Sequence, residues 1–127
     1  MSYIYDTDNV FAKILRGEIP NKTVLETEHS LAFEDIQPGA PLHVLVIPKG
    51  PYVSYDHFAL EASDAEIVDF TRAIGQVCEL SGVQLSAGGG FRLIANTGPD
   101  GLQDVPHLHV HVLAGRPLGR MLSHPNA

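Results

Sequence analysis

Pro106-His107-Leu108-His109-Val110-His111-Val112-Leu113 alternates imidazole and aliphatic side chains without a break. Successive side chains of an extended strand point to opposite faces. His107, His109 and His111 therefore share one face, and Leu108, Val110 and Val112 take the other. The aliphatic face suits a sheet turned toward a core. The imidazole face is costly in a closed core unless every ring finds a partner. Residues 107–113 are thus read as the last strand of a sheet that has a core on one side and a row of chemistry on the other.

Working outward, residues 91–95 predict a strand and residues 96–106 an irregular loop with Gly98, Pro99 and Gly101, while Gly88-Gly89-Gly90 reads as a plain connection. Ahead of these lies a long helix. Ser63-Asp64-Ala65-Glu66 is a capping-box pattern, Ile67, Phe70, Ile74, Val77 and Ser81 recur at helical spacing, and Gly82 ends it. Residues 42–47 are apolar except for His43 and predict a strand buried on both faces, stopped by Pro48. Residues 22–28 and 30–35 predict two more strands, and Pro38, Gly39 and Pro41 mark the turn that follows. Residues 51–60 predict a loop. A short helix opens the chain: Asp8 or Asn9 can cap it, Phe11, Ile14 and Leu15 share a face, and Gly17 and Pro20 stop it. The pattern predicts an α+β fold, mostly antiparallel, with one long and one short helix and the sheet covered on one face.

The chain of 127 residues is long enough for one domain, and residues 1–127 are read as one. Its composition, 44% hydrophobic and 18% charged, is that of a globular chain. Eight Lys and Arg against fifteen Asp and Glu leave a net charge of −7, which disfavours nucleic acid and anionic membranes as partners but leaves room for a small phosphorylated ligand. Cys78, the one cysteine, excludes an internal disulfide. No secretory signal and no membrane-length apolar run is visible, so a cytoplasmic protein is expected.

Three readings compete for the histidine row. The rings can be satisfied core or solvent-facing groups. They can ligate a metal, but His107 and His111 would stand about 13 Å apart on an extended strand. Asp100, Asp104 or His43 would have to complete such a site with no spacing that argues for it, so no metal and no cofactor is expected. Or one imidazole is a nucleophile: neutral imidazole attacks phosphorus without prior deprotonation, and the middle ring, His109, is the natural attacker. The Asn96-Thr97-Gly98 and Gly101-Leu102-Gln103 stretches upstream suit this, since a Gly-rich turn can aim backbone N–H groups at an anion.

The residues 107–113 resemble the His-φ-His-φ-His-φ-φ signature (φ apolar) of the histidine triad (HIT) superfamily. Residues 9–20 resemble the N-terminal helix, and residues 31–49 the central hairpin, of its Hint-like branch (histidine triad nucleotide-binding proteins). The resemblance implies a five-stranded antiparallel sheet and a homodimer joining two such sheets into ten strands. It implies hydrolysis of purine nucleoside 5′-phosphoramidates, of the AMP-amine type, through a nucleotidyl-histidine. It implies His109 as nucleophile, with His107 and His111 flanking it and contacting phosphate or leaving group, and His43 near the same groups. Asn96 and Gln103 would touch the ribose-phosphate or leaving group, Asp35 the ribose hydroxyls with Ile36 beside it, and Phe11, Ile14 and Ile19 the base of an AMP- or GMP-type ligand.

The chain departs from that pattern in places. Asp104 stands where the family usually has Ser or Thr, Leu102 where the branch often has Gly, and Glu34 where Hint relatives often carry His. The tail 115–121 lacks an often-seen Trp. An ionised Asp104 beside a phosphate would repel it unless it points away or is compensated. A dinucleoside polyphosphate hydrolase of the Fhit-like branch and a nucleotide-binding adaptor with weak catalysis are the alternative readings.

Overall fold

A computed structural model describes residues 3–122. Its element order is α1 (Val10–Leu15), β1 (Thr23–Glu26), β2 (Ser30–Glu34), β3 (Leu42–Pro48), α2 (Tyr55–Glu61), α3 (Asp64–Leu80), a single 3-10 turn (Leu85–Ala87), β4 (Arg92–Ala95) and β5 (Val110–Ala114). The strands form one five-stranded sheet in the order β1-β2-β3-β5-β4, every neighbouring pair antiparallel. The α+β class expected from the sequence is thus observed.

β3 sits at the centre of the sheet and carries both cores. Its Val44 and Val46 join Ala32, Val110, Val112 and the α3 residues Phe70 and Val77 on one face. Leu45 and Ile47 join Phe11, Leu31 and Phe33 on the other. That is why the run around His43 is apolar at nearly every position: both faces are covered, α3 on one side and α1 on part of the other. Full burial of each Val, Leu or Phe side chain contributes about 1.5–3 kcal/mol. The helix signals act as read. The Asn9 side chain accepts from the Ala12 N–H at 2.9 Å. Ser63 and Glu66 exchange the two bonds of a capping box, at 3.2 and 3.1 Å. The buried α3 residues are Phe70, Ala73, Val77 and Cys78, so the stripe leans toward the small residues that let the helix approach the sheet.

Two expectations are corrected. The stretch 51–60 is not a loop: Ser54 caps α2, and His57 and Phe58 are its buried residues. About two turns show too little apolar period for the sequence to reveal it. The last strand begins at Val110, not at residue 107. Its ladder with β3 runs from Val46↔Val110 to Leu42↔Ala114. On the partner side Pro48 has no N–H to continue it, and β4 ends at Ala95. The alternation survives nonetheless, because Leu108 is buried in the α3-side core while His107 and His109 turn the other way, against Phe11. Among the described residues no helix is long and apolar enough to cross a membrane.

Candidate active site

His109 stands just before β5 and lines a cavity of about 330 Å³ between α1, the end of β2 and the 96–106 loop. Its side chain is only 3% exposed, so the ring is recessed in the cavity wall and does not stand free in an open cleft. Nδ1 lies 2.8 Å from the backbone oxygen of His107. A carbonyl only accepts, so Nδ1 carries the proton and donates. The neutral ring therefore keeps its lone pair on Nε2. That nitrogen looks toward the cavity rim, where an Asp104 oxygen lies 3.6 Å away.

His107 does not reach the cavity. It is wholly buried. Its Nε2–H donates to the Pro48 carbonyl at 2.8 Å, which leaves Nδ1 to accept from the Tyr5 hydroxyl at 2.5 Å. Burial pushes its pKa down to about 4, with the neighbouring His109 adding to the effect. The expectation that His107 contacts phosphate or leaving group is corrected: both ring nitrogens are used inside the protein, and its bond toward the site runs through its backbone oxygen to His109.

His111 and His43 form a second chain of bonds. The Gly39 N–H donates to His43 Nδ1 at 2.8 Å, so His43 holds its proton on Nε2. That N–H faces His111 Nδ1 at 2.8 Å and Asp35 Oδ2 at 3.4 Å. With Nδ1 accepting, neutral His111 carries its proton on Nε2 and lines the cavity as a hydrogen-bond donor. Burial, then His109 and His43, hold its pKa down at about 4. Register explains the pairing: Leu45 lies opposite His111 and His43 opposite Leu113, so the two rings meet diagonally across β3 and β5.

Asp35 follows β2 at the cavity wall, its Oδ1 accepting from the Gln37 N–H at 2.8 Å. Phe11, Ile14 and Ile19, with the exposed Ile36, make the apolar end. The structure thus brings together His109, His111, Asp35, Ile36, Phe11, Ile14 and Ile19, with His43 one bond behind. Asn96, half-buried just past β4, does not line this cavity. Gln103 is also corrected. Its amide donates to the Val53 and Val105 carbonyls at 2.7 and 3.0 Å and its oxygen accepts from Gly98 N–H at 3.1 Å, so it braces the loop and offers no donor to a ligand. The loop's backbone is similarly occupied. The N–H groups of Gly101, Leu102 and Gln103 close turns onto Thr97, Pro99 and Gly98, which removes them as anion donors. Gly101 is required there, since a Cβ would come within 2.6 Å of the Thr97 backbone. Leu102 takes the left-handed φ of +54° that a Gly would hold without strain.

The cavity's charge is one-sided. Glu34, Asp35 and Asp104 line it, and among the described residues no Lys or Arg does. Asp35, His43 and His111 offer ligand atoms within 4.8 Å of one another, the residues that could hold a metal ion. Their N–N separation of 2.8 Å is that of a hydrogen bond. Two nitrogens on a tetrahedral zinc stand about 3.3 Å apart, given Zn–N of about 2.0–2.1 Å. Tyr5 carries no signal in the sequence, since it is 102 positions from His107 and meets it only through the fold. A larger groove, about 660 Å³, runs beside Gly82, Phe91 and Arg116, and among the described residues no histidine or carboxylate lines it.

The chain can now be set beside known proteins. The model of the HIT domain matches residues 16–118. A 13.2 kDa HIT-like protein of Azospirillum brasilense is 56% identical over 123 residues, 97% of this chain and 98% of that one. The purine nucleoside phosphoramidase of Escherichia coli (strain K12) is 38% identical over 117 residues, covering 92% of this chain and 95% of the relative. A solved HIT family hydrolase from Clostridium thermocellum superposes with a TM-score of 0.77 at 35% identity, covering 91% of this chain and 97% of that one. Because the family match spans most of the chain and these relatives align along nearly their whole length, the protein belongs to the HIT domain family and is one of its enzymes.

Proposed function

We propose that this HIT-family nucleotide hydrolase cleaves purine nucleoside 5′-phosphoramidates, AMP joined to an amine, through a covalent nucleotidyl-His109. The observation that carries the reading is the Nδ1–H bond from His109 to the His107 carbonyl, which leaves the Nε2 lone pair directed to the cavity. The Escherichia coli relative takes its name from the same class of substrate.

The purine packs among Phe11, Ile14, Ile19 and Ile36, and Asp35 accepts from the ribose cis-diol. His109 Nε2 then attacks the α-phosphorus in line. The P–N bond breaks, and the amine leaves with the electron pair and takes a proton from water at the open rim. The His111 Nε2–H donates to a phosphoryl oxygen, stabilising charge that grows in the transition state. In the second half a water attacks the phosphorus, the P–Nε2 bond breaks, its proton passes to solvent, and AMP departs from a neutral His109. No step requires a metal or cofactor.

The one-sided charge separates this substrate from a dinucleoside polyphosphate. A phosphoramidate monoester brings one negative charge to a cavity lined by three carboxylates and no cation. A polyphosphate brings several, with nothing fixed to balance them. Dimerisation and a cytoplasmic setting belong to the same proposal. β4 is an edge strand whose half-exposed Leu93 lines an apolar groove with Tyr55, Ile67 and Ile74, where a second copy's β4 would extend the sheet to ten strands. Light scattering reads that directly.

The test of the activity is turnover of an AMP-amine conjugate by wild type and His109→Ala. Removing the nucleophile is expected to cost about 10⁴-fold or more, with the fold retained by circular dichroism. Equal turnover by the two proteins would end the assignment.

A further inference from the structure

Asp104 places a charge beside the attacking nitrogen. Its side chain is 83% exposed and its oxygen lies 3.6 Å from His109 Nε2. Among the described residues it receives no hydrogen bond and pairs with no Lys or Arg. Yet it is not loose on a free loop. Gln103 before it is held by three side-chain bonds, and the Val105 carbonyl after it accepts from both Gln103 and the His107 N–H. A carboxylate held at this place faces the phosphoryl group of any substrate, and by itself it weakens binding.

The geometry of the reaction says what would reverse that sign. The apolar end of the cavity takes the base and Asp35 takes the ribose, so the nucleoside fills the inner part. In-line attack by His109 puts the leaving nitrogen on the far side of phosphorus, and whatever that nitrogen carries must emerge at the open rim. Asp104 stands at that rim. Glu34 and Asp35 add to the same negative field, and among the described residues no Lys or Arg lines the cavity.

We infer that Asp104 is a specificity-determining residue, selecting phosphoramidates whose amine bears a second, positively charged group a few bonds from the scissile nitrogen. This rests on the phosphoramidate reading above and narrows it from amines in general to cationic amines such as diamines. The chemistry is unchanged: the P–Nε2 bond forms, the P–N bond breaks, and the leaving nitrogen keeps the electron pair and takes a proton from water. The distant ammonium stays protonated throughout. It contributes attraction to Asp104 during approach and reaction. At about 6 Å in a largely solvated setting, such a pair is worth about three- to tenfold in kcat/KM at low salt. The gain shrinks as ionic strength rises past about 0.1 M, where the Debye length falls to about 10 Å.

The experiment uses two AMP conjugates of equal length, one of 1,4-diaminobutane with a terminal ammonium and one of pentylamine with a methyl in its place. Rates are measured for wild type, Asp104→Asn and Asp104→Ser at low and high salt. The expected result is a wild-type preference for the ammonium conjugate of about three- to tenfold, lowered by salt, and a ratio near one in both variants. A wild-type ratio near one, or a preference that persists unchanged in Asp104→Asn, would overturn the inference while leaving the hydrolase reading intact. Failure of wild type to cleave either conjugate would overturn both.

Discussion

His107 and His111 flank the same ring, two residues to either side, and both are held neutral by burial with pKa values near 4. Their surroundings give them opposite work. His107 is closed in by the N-terminal arm and by β3, one nitrogen on Tyr5 and the other on Pro48. His111 is held from behind by His43, which Gly39 fixes, and its free N–H lines the cavity. Residue type and spacing are identical, so the difference lies wholly in what the fold sets opposite each ring. One is a support that fixes the His109 ring through its backbone oxygen, and the other presents a donor to the cavity.

That contrast is breakable. His107→Ala removes a fully buried ring and strands the Pro48 carbonyl, so an unfolding free-energy loss of about 3–5 kcal/mol is expected in urea. His111→Ala should cost about 1 kcal/mol in the same assay, losing one hydrogen bond at a half-buried site, but about a hundredfold in kcat. Similar stability losses for both variants would erase the distinction.

A pH series sharpens the comparison. Both rings have folded-state pKa values near 4, below the ordinary histidine value of 6.5. The unfolded chain therefore binds more protons than the fold between those limits. The stability these two neutral rings carry is present above pH 6.5, is lost as pH falls from 6.5 toward 4, and changes no further below that. Replacing His111 by Asn should make the slope of stability against pH in that window shallower by about one proton. An unchanged slope would mean that His111 is not held neutral by the fold.

The smallest expected effect on activity belongs to Tyr5→Phe. The variant keeps the ring but leaves His107 Nδ1 without its donor, which costs about 1–2 kcal/mol. The kcat should fall more than KM changes, because Tyr5 acts on the reaction through His107, whose carbonyl holds His109. A fall confined to KM would remove Tyr5 from that path.

Much of this was legible in the residues, for reasons that are themselves local. Alternation survives the early end of the β5 ladder because Leu108 and Val110 have a core to enter, so the shared histidine face could be read at 107–111. Asn9 and the Ser63–Glu66 box mark helix starts through bonds made within three residues. The apolar cavity set Phe11, Ile14 and Ile19 follows one short helix and the turn after it. What was not legible depends on long-range partners. Whether a histidine on the common face is sealed or open depends on Tyr5 and Pro48, distant in sequence. Gln103 has the composition of an anion donor, and only the approach of Val53 shows that its amide is already engaged. α2 is seven residues long, and its buried members His57 and Phe58 are adjacent, giving no helical period to detect.

The central claim is that His109 Nε2 forms a bond to phosphorus. Rapid quenching of wild type with an AMP conjugate whose nucleotidyl-enzyme hydrolyses slowly, followed by intact-mass and peptide analysis, reads it directly. A transient gain of one nucleotidyl group, mapped to His109 and missing in His109→Ala, is the expected result. Turnover at full rate with no adduct, or an adduct on another histidine, would contradict it.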